Sequence, residues 1–207
     1  SETTIPVTCV EQGRWSSRPD EFRPSSHVMY QKARADKMRH VSAQMLKDEA
    51  PVADQGAVWS ELSVKARRMN VRSDTGAMDS IYTQEKTRLD VFVKRCTPVD
   101  HQVGAVFALD GCECGVELFD AVSTWRTFSP RLVRSWAIDA IEKKPPAGGA
   151  RRKKGDLIEQ LCAGSWKVSP SLGIGWDARL AANDVTCGVL LVEDNLVHLA
   201  AFGEAHS

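Results

Sequence analysis

Apolar and polar positions first alternate over 5–9, where Ile5, Val7 and Cys9 oppose Thr4, Pro6 and Thr8. A period of two predicts a strand, and Pro6, having no N–H, puts that strand at an edge or only partly in a ladder. Residues 11–26 hold Gly13, Pro19 and Pro24 and predict a structured loop; 27–50 is polar, with a weak helical period. Over 54–69 the period becomes helical, with Trp59, Leu62, Ala66 and Met69 on one stripe. Ser73, Asp74 and Thr75 offer N-cap oxygens to a helix predicted over 77–95, its inward face carrying Met78, Tyr82, Leu89, Phe92 and Cys96. A hairpin follows, 103–109 turning at Asp110-Gly111 into 112–118. Ser129-Pro130 pairs a capping hydroxyl with a proline suited to a first helical turn, and Leu132, Val133, Trp136, Ala137, Ala140 and Ile141 keep the helical period after it.

The stretch 143–156 is Pro/Gly-rich and basic and reads as a flexible surface loop within one domain, 1–207, rather than a boundary. A short helix at 157–162 comes next, then Gly173-x-Gly175 ahead of a strand, then a hairpin of 186–192 and 196–202 turning near Asp194-Asn195. Helices and hairpins in this order, without strand–helix alternation, predict an α+β fold. The sheet should be largely antiparallel, with two or more hairpins packed against several helices.

Composition narrows the function classes. A chain of 207 residues can bury a full core without staples, and 27 basic against 27 acidic residues gives no excess for a dedicated nucleic-acid binder. No apolar run reaches membrane-spanning length and the start lacks a leader pattern, so a cytoplasmic setting is expected and no membrane partner. Six cysteines spread through such a core read as reduced, buried thiols. The chain opens in a strand pattern without Met, so the domain is expected to lack its own beginning. A free amino-terminal Ser1 could serve as its own base. A truncated gene explains the same start.

Chemistry-bearing residues are densest at 9–15, Cys-Val-Glu-Gln-Gly-Arg-Trp. Arg14 suits a carboxylate or phosphate and Trp15 a ring, while a Glu11–Arg14 pair closing a turn over a core indole accounts for the same residues. Cys112-x-Cys114 in a strand puts both thiols on one face with Val116 and Leu118, and no second Cys/His pair has zinc spacing, so no metal is expected. His198, placed opposite Leu191, reads as a packed, hydrogen-bonded histidine, with a general base as the alternative. No phosphate-loop, dinucleotide or nucleophile-elbow motif is present, and no cofactor is indicated.

Together, IPVTCVEQGRW at 5–15, DQGAVWSEL at 54–62, the Ser-x-Thr-Gly-Ala run at 73–77, GVELFD at 115–120, SPRLVRSWAIDAI at 129–141 and VHLAAF at 197–202 resemble the ARPP family, the ARG and rhodanese-phosphatase-superfamily-associated protein domain. Family members usually carry a further stretch before the IPV strand. Trp136 stands where a tyrosine is usual, and the basic insertion at 143–154 is a second departure. The resemblance implies a setting of ADP-ribose or related nucleotide metabolism without supplying a reaction. It shifts weight to a polar site in which Glu11 accepts or orients a proton and Gln12, Arg14, Trp15, Gln55, Ser73, Thr75 and Arg179 bind ligand. Two functions follow as expectations. One is binding or processing of an ADP-ribose-like, phosphate-containing nucleotide metabolite. The other is a non-catalytic scaffold for an ADP-ribosylglycohydrolase or rhodanese-phosphatase-type protein. Convergence of the named side chains in one pocket favours the first; dispersal beside an exposed apolar patch favours the second.

Overall fold

The computed structural model describes residues 7–14, 25, 27–109, 111–142, 156–181 and 184–203. Trp15, the start of the strand expected at 5–9 and nearly all of the basic loop lie outside these residues. Four helices come first: α1 (Gln31–Met45), α2 (Gln55–Arg68), α3 (Met78–Gln84) and α4 (Lys86–Arg95). The hairpin β1 (Gly104–Leu109) and β2 (Cys112–Phe119) leads into α5 (Val122–Glu142) and α6 (Asp156–Ala163). The strands β3 (Ser165–Pro170), β4 (Trp176–Ala181), β5 (Val185–Val192) and β6 (Asn195–Gly203) complete the fold. All six strands form one antiparallel sheet in the order β1-β2-β6-β5-β4-β3. The α+β architecture is as the pattern predicts. Among the described residues no helix is long and apolar enough to cross a membrane.

The sheet has two dressed faces. Val116, Ala178, Leu180, Val185, Cys187, Val189 and Ala201 pack against Leu157 and Leu161 of α6. On the opposite face, Ala35 of α1 and Trp136 of α5 meet Cys114, Ala200 and Phe202. A further cluster of Tyr30, Val58, Leu62, Met78, Ile81, Tyr82, Leu89 and Ile138 fixes α2, α3 and α4 to the outer sides of α1 and α5. Trp136 stacks on Phe107 with centroids 4.7 Å apart and is buried.

Several boundaries differ from the pattern. α5 begins at Val122 and runs through Pro130, so Ser129-Pro130 is not its start. The proline removes one backbone donor inside the helix. Burial of Trp125 against Phe119 and Leu132 in the added turns outweighs that loss. The helix expected over 77–95 breaks at Glu85, whose φ of −94° and ψ of 9° leave the α-helical region. Past the break only Leu89 is buried, and Phe92 and Cys96 are exposed.

The N-cap position of α3 is Ala77, with no side-chain cap. Ser73 Oγ instead accepts from the Ala77 amide at 2.9 Å, and the carbonyl of Val10 accepts from Met78 N at 2.9 Å. Val7–Cys9 belong to no strand; Glu11 alone makes an isolated bridge with Ala77.

A β-bulge skips Cys114 in the β1–β2 register, where Phe107 pairs with Gly115 and Ala108 with Glu113. The extra residue moves Cys114 to the α5 face while Val116 faces α6, so the shared face expected for the cysteine pair and Val116 is lost. Of the six cysteines Cys114 and Cys187 are buried, whereas Cys96 and Cys162 are exposed. The last hairpin turns at Glu193-Asp194, both at positive φ, one residue earlier than the pattern places it. A register shift between Leu190 and Leu191 then sets His198 opposite Leu190 rather than Leu191.

Candidate functional site

The segment 7–14 has little hydrogen-bonded structure of its own and is held by side chains. Gln55, at the start of α2, acts as a substitute strand. Its Oε1 accepts from Cys9 N at 2.9 Å, its Nε2 donates to Cys9 O at 2.8 Å, and Trp59 Nε1 donates to the same carbonyl at 3.1 Å. Beyond Cys9, Glu11 uses both carboxylate oxygens: Arg14 Nη1 donates to Oε2 at 3.0 Å and the Thr75 hydroxyl to Oε1 at 2.6 Å. Gly13 donates to Thr75 O at 2.7 Å, and a Cβ there would lie 3.0 Å from Thr75 backbone atoms. Glycine is therefore what lets the two chains meet. Three of the residues singled out in the sequence, Glu11, Arg14 and Thr75, are thus brought together, and Gln55 braces the same segment from behind. Gln12 and Ser73 line a neighbouring cavity of about 210 Å³ that also includes Trp59 and Arg67.

Arg179 is elsewhere. It lines a larger cavity, about 360 Å³, between α1 and the β3–β4 hairpin, together with Thr8, Lys37, Val41, Ser169 and Asp177. Its guanidinium lies over β5, where a Cβ at Gly188 would come within 2.8 Å of Nη1. It pairs in fork geometry with Asp177, Nε to Oδ1 at 2.5 Å and Nη2 to Oδ2 at 2.7 Å. Lys37, from α1, donates to the Thr8 hydroxyl. Among the described residues it meets no carboxylate, and burial holds its ammonium below the ordinary lysine value. Asp48 and Glu49 also line the cavity, and Asp48 pairs at 2.7 Å with Lys167, which donates to Leu46 O. The segment Val7–Cys9 joins the two regions, since Thr8 touches the large cavity and Cys9 is held by Gln55.

The antiparallel register explains why polar groups collect here. Asp177, Leu190, His198 and Phe119 are successive partners across β4, β5, β6 and β2, and Arg179, Gly188, Ala200 and Glu117 form the next row on the same face. Glu117 has a fully buried side chain; Arg34 of α1 lies 2.5 Å from its Oε1 and His198 Nε2 lies 3.1 Å from its Oε2. Burial alone would raise this carboxyl, but the Arg34 charge and the bonds from His198 and Arg34 outweigh it and hold it below the usual range. A second buried cluster, Lys65 with Asp139 and Glu142, sits among α2 and α5 beneath Tyr30 and lines neither of the two cavities described above. No group of three or more His, Cys, Asp or Glu able to hold a metal occurs among the described residues.

Lys37, Asp177, Glu117 and Arg34 were not singled out in the sequence. A period-two signal for Asp177 and Arg179 existed, since they alternate with Trp176, Ala178 and Leu180, and it identifies β4. Nothing in the sequence distinguishes Lys37 from the other charged residues of α1.

The family model described as the ARG and Rhodanese-Phosphatase-superfamily-associated Protein domain matches residues 1–202. No curated protein and no solved structure matches the chain.

Proposed function

Since the chain belongs to the ARG and rhodanese-phosphatase-superfamily-associated protein domain family, we propose that it binds a phosphate-containing metabolite of the ADP-ribose class in the cavity between α1 and the β3–β4 hairpin. The observation that carries this reading is Lys37. A partly buried ammonium is costly unless an anion offsets it. Among the described residues Lys37 makes no ion pair and bonds only the Thr8 hydroxyl, and it borders a cavity of about 360 Å³ whose carboxylates Asp177 and Asp48 are paired with Arg179 and Lys167, with Glu49 also in the lining. Arg179, oriented by Asp177, supplies the second cation on the opposite wall. Glu11, Arg14, Thr75 and Gln55 enter as the groups that hold the Val7–Thr8 wall in place, with Gln12 and Ser73 beside the smaller cavity. Glu11 keeps the proton-orienting role proposed from the sequence only toward groups at its own cluster.

The test is a thermal-shift titration with ADP-ribose and inorganic pyrophosphate. Ligand at a hundred times its Kd adds about 2.7 kcal/mol, several degrees for a domain of this size. Lys37→Ala should abolish the rise. No rise with either compound removes the reading.

A second reading, a scaffold for an ADP-ribosylglycohydrolase or rhodanese-phosphatase-type protein, has its own support. The sequence-derived site residues are dispersed over more than one cavity. Trp166, Val168 and Trp176 also expose apolar surface on one face of the β3–β4 hairpin, continued at its turn by Leu172 and Ile174. Co-purification with such a partner that is lost in Trp176→Asp favours this reading.

A further inference from the structure

His198 is arranged in a way that the anion cavity does not use. Its ring stacks on Phe119 with centroids 4.5 Å apart, which fixes the ring plane. Its Nε2 meets the buried Glu117 carboxylate at 3.1 Å, and the other oxygen of that carboxylate faces Arg34. Arg34 is itself steadied over the Phe202 ring, 5.0 Å from its centroid. An ionised carboxylate can only accept, so in the neutral imidazole the proton sits on Nε2 and Nδ1 carries the lone pair. Nδ1 has no partner among the described residues, and the side chain keeps 36% of its surface exposed. The histidine therefore presents an oriented acceptor outward.

The register relates this acceptor to the anion cavity. His198 pairs with Leu190 and Leu190 with Asp177, so His198 and Asp177 share one sheet face two strand spacings apart, roughly 10 Å. Half-buried Leu190 lies between them on that face. Above this shelf, α1 contributes Arg34 and Lys37, three positions apart and so on one side of the helix. This face thus carries Lys37 and the Arg179–Asp177 pair at one end, Leu190 between, and at the other an oriented acceptor against an aromatic ring, with Arg34 held by Glu117 beside it.

Resting on the anion-cavity reading, we propose that His198 is a ligand-binding residue that selects an elongated nucleoside-diphosphate-type molecule. Its Nδ1 accepts a hydrogen bond from a ribose hydroxyl while Lys37 and Arg179 hold the phosphates. Glu117 and Arg34 are positioning residues that set the tautomer.

Isothermal titration of the full chain at pH 8 tests this with ADP-ribose and inorganic pyrophosphate as probes. Lys37→Ala should weaken both. His198→Ala should weaken ADP-ribose about tenfold, the worth of one well-made hydrogen bond, and leave pyrophosphate unchanged. His198→Gln, which keeps an acceptor oxygen, should recover part of the loss. In ¹⁵N spectra of the wild-type ring, Nδ1 should shift with ADP-ribose and stay put with pyrophosphate, a readout that does not depend on any variant folding. If both probes bind in a Lys37-dependent way but the ring does not respond and His198→Ala treats them alike, the cavity reading stands and the role of His198 falls. If neither probe binds, both fall.

Discussion

Lys65 is fully buried, and its ammonium meets Asp139 and Glu142 at once while lying over the ring of Tyr30. Burial raises Asp139 in spite of that ammonium, whereas Glu142, less enclosed and also held by Arg68, is lowered. Replacing the cation strands the buried Asp139 carboxylate, which keeps the Lys32 amide, and leaves half-buried Glu142 to Arg68. Lys65→Met should therefore cost about 3–5 kcal/mol in urea unfolding. Adding Asp139→Asn should return part of it, because the double variant no longer has a buried charge at that position. A loss below about 1 kcal/mol would mean that the carboxylates find solvent. At the same scale, Lys37 differs from Lys65 in one respect: its neighbour is a hydroxyl and a cavity, which is why it and not Lys65 is read as a binding group.

Gln55 shows what a single side chain does for a whole segment. With the amide gone, Cys9 N–H loses its acceptor and Cys9 C=O keeps only Trp59. Gln55→Ala should cost about 1–3 kcal/mol. Amide exchange should quicken at Gly13 and Met78, whose bonds to Thr75 and Val10 depend on the same segment; unchanged exchange there would sink the idea of a clamp. Elements set by local pattern were legible in the sequence. The α2 stripe, the β1–β2 hairpin and the apolar runs of β5 and β6 needed only neighbours along the chain. Elements set by packing were not. Pro130 inside α5 is tolerated because Trp125 and Leu132 are buried together, and the Cys114 bulge reverses a face that simple alternation assigns. β3 and β4 carry polar residues on alternate positions because one of their faces lines the cavity. The candidate site was half legible. Its turn residues Glu11 and Arg14 lie in one dense run and Thr75 in the separate run at 73–77, but Glu117 and His198 become partners only once β6 is inserted beside β2.

Across the molecule, that insertion ties acid sensitivity to the sheet. Arg34 and His198 keep Glu117 ionised to lower pH than in the unfolded chain, so its contribution is present above about pH 4.3. The contribution is lost as pH falls through the lower folded value. Glu142 acts in the same sense, while Asp139, shifted upward, gives an opposing change. The urea midpoint should fall on acidification below about pH 4.3. In Glu117→Gln it should be lower at neutral pH and flatter across that range; an equal slope in both proteins would assign the effect to other carboxylates. The sheet order has a further consequence during synthesis. β1 and β2 leave the ribosome as a hairpin, and a lone hairpin is marginal in water. β2 cannot gain its second neighbour until β6 has been made. For that interval the Glu117 carboxylate is hydrated in the nascent chain, and only the arrival of β6, bringing His198, lets it be sealed against Arg34.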